Sequence, residues 1–175
     1  MKEFAKRFIR LFKRNVDKLY SEGLVGGIKD VEILGDHEHT FLINVAFYLT
    51  VKEIDKSSKN NEYSIIPEYG GRSPTDFMIL KNDDVNQLCI EHENSENRIL
   101  KNYEKLIKNK KTKERLLICY VWDSTNISIS DKIKEIKTYK KRHKIANKPV
   151  HILIANKGDK NYFYSSKDYK YYLIK

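Results

Sequence analysis

The sequence has few residues of the types that build fibrous, disulfide-rich or disordered chains. Its 175 residues include 2 Cys, 3 Pro and 7 Gly, which excludes a collagen-like chain and indicates a globular fold. Cys89 and Cys119 each lie in an apolar run, and no CxxC pair is present. This spacing excludes a zinc ribbon and argues against a disulfide scaffold. We expect both cysteines to be small buried residues of a protein in a reducing compartment.

Long hydrophobic runs are also missing. No run reaches the roughly 18 apolar residues that a transmembrane helix needs, and the N-terminus lacks the apolar core of a secretory signal. These features predict an intracellular, cytoplasmic protein without a membrane partner. Lys2–Tyr20 nevertheless carries apolar residues at spacings of three and four among lysines and arginines. This pattern is typical of helices on membrane surfaces, but we favour the first helix of a soluble domain.

Positive charge is what the chain has in excess. Lys and Arg total 34 against 24 Asp and Glu, which gives a formal net charge of +10. Such a balance attracts polyanions, with nucleic acid the first choice and an anionic membrane surface the second. The length is that of one domain, residues 1–175, with a core of two or three layers.

Hydrophobic periodicity predicts an α/β fold. After the first helix, Val31–Leu34 and Thr40–Val51 predict two strands joined by a polar GDHEH turn. The later predicted elements are a short strand at Ser64–Ile66, strands at Asp76–Leu80 and Val85–Glu93, a helix at Ser95–Lys111, a strand at Arg115–Trp122, a helix at Ser128–Asn147, a strand at Pro149–Lys157 and a closing edge strand or hairpin in Asn161–Lys175. This order predicts a mixed central β-sheet flanked by helices.

Three carboxylates accompany the two neighbouring strands "DFMIL" and "VNQLCIEHE". Side chains alternate along a strand, so Glu91 and Glu93 point to one side and His92 to the other. Asp76, at the start of the adjacent strand, reaches the same edge. An ordinary solvated strand edge would explain each acid singly, but three converging carboxylates require protonation or a bound cation. A few hard oxygen ligands with room for water and phosphate describe a Mg²⁺ or Mn²⁺ site.

The segment Pro74-Thr75-Asp76, followed by Glu91-His92-Glu93, resembles the core motif of the PD-(D/E)xK nuclease superfamily. The approach "GGRSPTDFMIL" is similar to the glycine-bearing segment and strand of these enzymes. The resemblance implies a restriction endonuclease-like core (α-β-β-β-α-β), with a C-terminal α-β extension. It also implies metal-dependent hydrolysis of a nucleic-acid phosphodiester, with DNA preferred to RNA, and Asp76 and Glu91 as metal ligands. A homodimer would cut both strands at once, although no residue indicates one.

The motif's lysine position is occupied by Glu93, which would add a metal ligand or act as general base. In some members of the superfamily this lysine lies on the following helix, where the candidates are Arg98, Lys101 and Lys105. Some members add a glutamate from the first helix, for which Glu22 is the first candidate and Glu68 the rival. The loss of the lysine leaves an alternative, a catalytically degenerate nucleic-acid-binding protein on the same fold.

Basic residues supply the predicted nucleic-acid contacts. Lysine and arginine contact phosphates, and the tyrosines that follow the second basic helix are suited to stacking on unpaired bases. A solvated helix face followed by a tyrosine-rich edge strand would also explain this segment. The candidate contacts are Arg72, Arg98, Lys101, Lys140, Lys141 and Arg142. His37 and His39 form half of a zinc-binding pattern, but no third ligand follows at a recognisable spacing.

Overall fold

The computed structural model describes residues 4–21, 36–58, 62–69, 75–82, 85–109, 111–122, 127–143, 149–157 and 167–175. The helices are α1 (Phe4–Ser21), α2 (Asp36–Ser57), α3 (Ile99–Lys108), preceded by a 3-10 turn at Glu96–Arg98, and α4 (Ile129–Arg142). The strands are β1 (Tyr63–Tyr69), β2 (Thr75–Lys81), β3 (Val85–Glu93), β4 (Glu114–Trp122), β5 (Val150–Lys157) and β6 (Lys170–Ile174).

The six strands form one mixed sheet in the order β1-β2-β3-β4-β5-β6. The first three strands are antiparallel, β3, β4 and β5 run parallel, and β6 closes the edge antiparallel to β5. The sheet confirms the predicted α/β class, and β6 confirms the closing edge strand. From α2 to β4 the elements follow in the order α-β-β-β-α-β.

Each face of the sheet is covered by two helices, and this explains why β4 is apolar from Leu116 to Trp122. Leu116, Ile118 and Tyr120 belong to the core under α1 and α2, whereas the alternate residues Leu117 and Cys119 belong to the core under α3 and α4. A strand buried on both faces has no polar side to alternate with. Both cysteines are buried and neither forms a disulfide bond, as expected from the sequence.

The strand predicted at Thr40–Val51 is wrong, because this segment is the middle of α2. Its buried residues recur at helical spacing, namely Leu42, Ile43, Ala46, Phe47, Val51 and Ile54. Phe41 and Tyr48 are exposed on the other side, at 65% and 57% of their surface. These two exposed aromatic residues fill the polar positions of the helix, so the sequence shows a continuous apolar run. The strand predicted at Val31–Leu34 lies outside the described residues.

Two phenylalanines of α2 can test which side of this helix faces the core. Phe47 is fully buried, and its ring lies 5.1 Å from that of Phe12 and 4.8 Å from that of Phe77. We expect Phe47→Ala to lower the free energy of unfolding by about 3–5 kcal/mol, because it leaves a cavity in the core. Phe41→Ala should change it by less than about 0.5 kcal/mol. Urea denaturation followed by circular dichroism measures the free energy of unfolding of both variants. Equal losses would contradict this orientation of α2.

The apolar stripe of α1 packs into the core. Phe8, Phe12 and Val16 belong to this stripe and are buried. Asn15 Nδ2 donates to Thr50 Oγ1 of α2 at 3.0 Å. The lysines and arginines of the helix lie on its outer side, so the buried stripe supports the soluble-domain interpretation over the membrane-surface one. Within the described residues, no helix is long and apolar enough to cross a membrane.

Candidate functional site

Asp76 and Glu91 lie side by side on adjacent strands. In the antiparallel pairing of β2 with β3, Phe77 pairs with Ile90, which places the preceding Asp76 opposite the following Glu91. Asp76 Oδ2 accepts a hydrogen bond from the backbone N–H of His92 at 2.7 Å. The register of the hairpin therefore brings together two carboxylates that are 15 positions apart in the sequence.

Glu91 is the most deeply buried of the candidate acids. Its side chain is only 1% exposed, and Oε2 accepts from Lys105 Nζ of α3 at 2.8 Å. Its other oxygen, Oε1, is buried and makes no hydrogen bond of normal geometry within the described part of the chain. Burial and the nearby Asp76 raise the pKa of Glu91 to about 8, although Lys105 and the backbone amide of Asp76 act in the opposite direction.

Asp76 shares the positive charge of Lys105. Burial raises the pKa of Asp76 above its ordinary value, and Glu68 adds to this effect, whereas the His92 amide and Lys105 oppose it. Two carboxylates thus face a single ammonium group in a partly desolvated place. A second cation at this position would relieve the repulsion between them.

Glu93 is held by the start of the following helix. Oε1 accepts from the backbone N–H of Ser95 and Oε2 from Asn102 Nδ2, each at 2.7 Å. Glu91 and Glu93 both face α3, and the ring of His92 packs on the other side, 5.7 Å from that of Tyr120. The predicted alternation is confirmed. The contacts of Glu93 favour anchoring of α3, and its catalytic role stays a prediction.

A cavity of about 550 Å³ opens at these carboxylates. It lies at the ends of β2 and β3 and receives side chains from α2, β1 and α3. Its lining is polar and includes cations from α3. The lining residues are Thr40, Asn44, Pro67, Glu68, Asp76, Phe77, Glu91, His92, Glu93, Asn94, Arg98, Lys101, Asn102 and Lys105.

Glu68 enters this lining through an unusual backbone conformation. Its φ is 47°, a region that costs a residue other than glycine about 1–3 kcal/mol and that is frequent at functional sites. The pairing of β1 with β2 runs from Pro67–Phe77 to Tyr69–Thr75, so Glu68 lies opposite Asp76. The structure thus places Glu68 at the site, whereas its rival Glu22 lies outside the described residues.

The predicted basic residues fall into separate regions. Arg98 and Lys101 are exposed and line the cavity, and Lys105 alone of the three helix candidates contacts Glu91. Lys140, Lys141 and Arg142 form the last turn of α4, and none of these described residues lines the cavity. Arg72 lies outside the described residues, as do the side chains of His37 and His39.

The sequence does not predict seven of the lining residues, of which Thr40, Asn44, Asn94 and Asn102 carry polar side chains on or beside helices. Thr40 and Asn44 belong to α2, and the strand predicted at Thr40–Val51 does not place them on one helical face. Asn94 and Asn102 flank the turn into α3, and Asn102 precedes Lys105 by three residues. That helical spacing was the available signal, because residues three apart share a face.

The donor set fits a hard divalent cation, although it is small. Among the described residues no group of three or more His, Cys, Asp or Glu side chains is arranged to hold a metal ion. Mg²⁺ needs fewer, because it keeps several waters and binds through one or two carboxylates and substrate phosphates. Asp76 and Glu91 supply two carboxylates, and Oε1 of Glu91 accepts no hydrogen bond of normal geometry from the described residues.

The geometry defines an α/β protein in which one buried and one partly buried carboxylate meet a lysine in a polar cavity at the ends of two antiparallel strands. No protein-family model, curated protein or solved structure matches the chain. The site chemistry therefore carries the functional argument.

Proposed function

We propose that the protein is a divalent-metal-dependent nuclease that hydrolyses phosphodiester bonds, in DNA rather than RNA, on a restriction endonuclease-like fold. The observation that carries the proposal is the contact of Lys105 with Glu91 beside Asp76. The α-β-β-β-α-β succession from α2 to β4 supports it, as does the net charge of +10. An anionic polymer is the substrate that such a surface would attract.

Asp76 and Glu91 would hold Mg²⁺ or Mn²⁺. Bound there, the ion would polarise a phosphate oxygen and make a water molecule more acidic. Lys105 has two functions in this scheme. Its ammonium group favours the ionised form of Glu91, and it places positive charge beside the position where phosphate charge develops. Arg98 and Lys101, exposed at the cavity, would contact flanking phosphates.

Hydrolysis would then proceed without a covalent enzyme intermediate. A water oxygen attacks phosphorus, the bond from phosphorus to the leaving sugar oxygen breaks, and one proton passes to that oxygen. Glu93 positions α3, and with it Lys105, because it accepts from Ser95 and Asn102 at the start of the helix. This role requires no proton transfer by Glu93.

A second candidate is a nucleic-acid-binding protein with a degenerate site. The observation that favours it is the lysine position of the motif, where Glu93 stands with both oxygens already accepting hydrogen bonds. The raised pKa of Glu91 also favours it, because a protonated carboxyl group is a poor metal ligand. Salt-sensitive binding without cleavage would be its signature.

The deciding experiment is cleavage of labelled single-stranded, double-stranded and branched DNA, and of RNA, in Mg²⁺, Mn²⁺ or EDTA. We expect metal-dependent cleavage by the wild type and a loss of about a thousandfold in Asp76→Asn, which removes a ligand charge without changing its shape. Glu135→Gln on α4 is the control, because Glu135 pairs with Lys132 and does not line the cavity.

Two results would contradict the nuclease. Absence of cleavage by the wild type with every metal and substrate, together with salt-sensitive binding, would support the degenerate protein. Equal cleavage by Asp76→Asn and Glu135→Gln would assign the activity to another part of the chain or to a contaminant.

A further inference from the structure

The outer side of α1 carries a concave basic surface that belongs to no part of the candidate site. Lys6, Arg10 and Arg14 are spaced four residues apart and so form one ridge along the helix. Beside this ridge lies a cavity of about 500 Å³, lined by Lys6, Ile9, Arg10, Lys13, Arg14, Asp17 and Tyr171. We call these lining residues the α1 groove.

A second concavity continues the α1 groove on the other side of the ridge. Its volume is about 540 Å³, and it is lined by Phe4, Lys6, Arg7, Arg10, Tyr63, Lys81 and Gln87. Lys6 and Arg10 line both concavities. The two are therefore parts of one basic surface, with cations at its centre and aromatic rings on either side.

Lys6 and Arg10, the cations that line both concavities, are available to a ligand. The neighbouring cations of α1 already have partners. Arg14 pairs with Glu53, Arg7 donates to Ser57, and Lys13 donates to the backbone oxygen of Tyr169 at 3.2 Å. Lys6 and Arg10 are exposed, and neither forms an ion pair with a described residue. The α1 groove thus exposes two cations that are not in ion pairs with described residues, beside one lining acid, Asp17.

An exposed aromatic ring is fixed beside these cations. Tyr171 is 41% exposed, and its hydroxyl group is hydrogen-bonded to Nδ1 of the buried His151 at 2.9 Å. The bond holds the ring at the edge of the α1 groove, because His151 is itself packed in the sheet. A fixed ring loses little conformational freedom when a flat ligand stacks on it.

The continuation of the α1 groove lies at the opposite end of the β2–β3 hairpin from the candidate site. Lys81 and Gln87, which line its continuation, adjoin the turn between β2 and β3. Asp76 and Glu91 lie at the other end of the same hairpin. From Gln87 to Glu91 the strand advances about 13 Å, so one bound nucleotide cannot fill both places.

We propose that the α1 groove is a second nucleic-acid-binding surface, which takes a single-stranded segment with its phosphates on Lys6 and Arg10 and a base stacked on Tyr171. Cations beside an exposed aromatic ring are the usual means of binding single strands without sequence preference. The inference rests on the proposed function for the identity of the ligand, but it requires no cleavage. An anionic membrane is disfavoured, because the apolar residues of α1 from Ala5 to Leu19 are buried in the core and cannot insert into it.

Binding without cleavage provides the test. Fluorescence anisotropy of a labelled oligothymidylate is measured in EDTA at about 50 mM salt, where phosphate contacts dominate. We expect the double variant Lys6→Glu/Arg10→Glu to bind about tenfold or more weakly than the wild type. The control Lys134→Glu/Lys137→Glu, with the same charge change on exposed residues of α4, should lose less than about threefold. Thermal melting confirms that all variants are folded.

The stacking contact has its own pair of variants. Tyr171→Ala should weaken binding by about fivefold or more, whereas Tyr171→Phe keeps the ring and should bind nearly as well as the wild type. An oligomer of abasic sites should not distinguish Tyr171→Ala from the wild type. If Tyr171→Ala weakens binding to that oligomer as much as to oligothymidylate, stacking is not the contact and the proposal is overturned.

The outcomes separate this inference from the proposed function. Equal losses in the α1 and α4 double variants overturn the inference even if the wild type cleaves DNA. A specific loss in the α1 variant sustains it even if no cleavage is seen. Binding of anionic phospholipid vesicles, without binding of the oligonucleotide, would identify a membrane surface instead and overturn the proposal.

Discussion

Replacement of Lys105 by methionine is expected to lower cleavage by about 10²- to 10³-fold and to raise the pKa of Glu91 further. Lys105 donates to Glu91 Oε2 at 2.8 Å, and it lowers the pKa of both Glu91 and Asp76. Methionine keeps a flexible, unbranched side chain of similar length but removes the charge. The loss of a single preorganised charged donor at a reacting phosphate has about this cost.

The acidic limb of the pH–rate profile measures the effect on Glu91. Cleavage requires ionised Glu91, so in the wild type the rate should rise with pH towards about 8. In Lys105→Met the same rise should begin at higher pH, because burial then acts on Glu91 without the opposing ammonium group. A merely structural role of Lys105 would lower the rate equally at every pH.

Lys101→Met is the matched control for this prediction. Lys101 lines the same cavity on the same helix, but the described contacts of Glu91 include Lys105 and not Lys101. We expect Lys101→Met to weaken substrate binding and to leave the position of the acidic limb unchanged. If both variants shift the limb alike, the charge of Lys105 acts through the general field of the cavity and not through its hydrogen bond.

Two central strands, β3 and β4, could be predicted from the sequence because buried strands are continuous apolar runs. Val85–Glu93 and the strand at Arg115–Trp122 are apolar runs of strand length between turn residues, and both were placed within a residue of their observed bounds. The segment Thr40–Val51 is equally apolar but helical. Phe41 and Tyr48 occupy its exposed positions, so neither periodicity nor β-propensity could reveal a helix.

Some features of the candidate site likewise follow from the local sequence, whereas others depend on tertiary packing. The adjacency of Asp76 and Glu91 follows from a tight hairpin, whose register the short connection largely determines. The choice of Lys105 over Arg98 and Lys101 depends on how α3 lies over β3, which the sequence of the helix does not encode by itself. Thr40 and Asn44 line the cavity only because α2 reaches the ends of β2 and β3. Glu68 has a positive φ, which the sequence pattern does not predict.

Glu91→Gln is expected to lower cleavage by about a thousandfold. It should also make the free energy of unfolding less dependent on pH, because glutamine cannot ionise. The folded pKa of Glu91 is about 8, against an ordinary value of 4.5. Between these values the folded state holds a proton that the unfolded state has lost, so the stability from this group is present below about 4.5 and is lost as pH rises through about 8. Urea denaturation from pH 5 to pH 9 should therefore show a fall in the wild type, on the order of a few kcal/mol, that is much smaller in Glu91→Gln, where Asp76 still has a raised pKa.

Mg²⁺ connects this stability profile to the proposed function. An ion that binds ionised Asp76 and Glu91 stabilises the folded state by mass action and displaces the proton from Glu91. We expect added Mg²⁺ to stabilise the wild type at pH 7.5 and to reduce the fall between pH 5 and pH 9. Glu91→Gln should gain nothing from the metal, whereas Glu135→Gln should behave as the wild type does. Equal stabilisation of all three proteins would place the ion elsewhere. No stabilisation of any of them would favour the degenerate nucleic-acid-binding protein, in which Lys105 balances the charge of Glu91 and Asp76 without a metal.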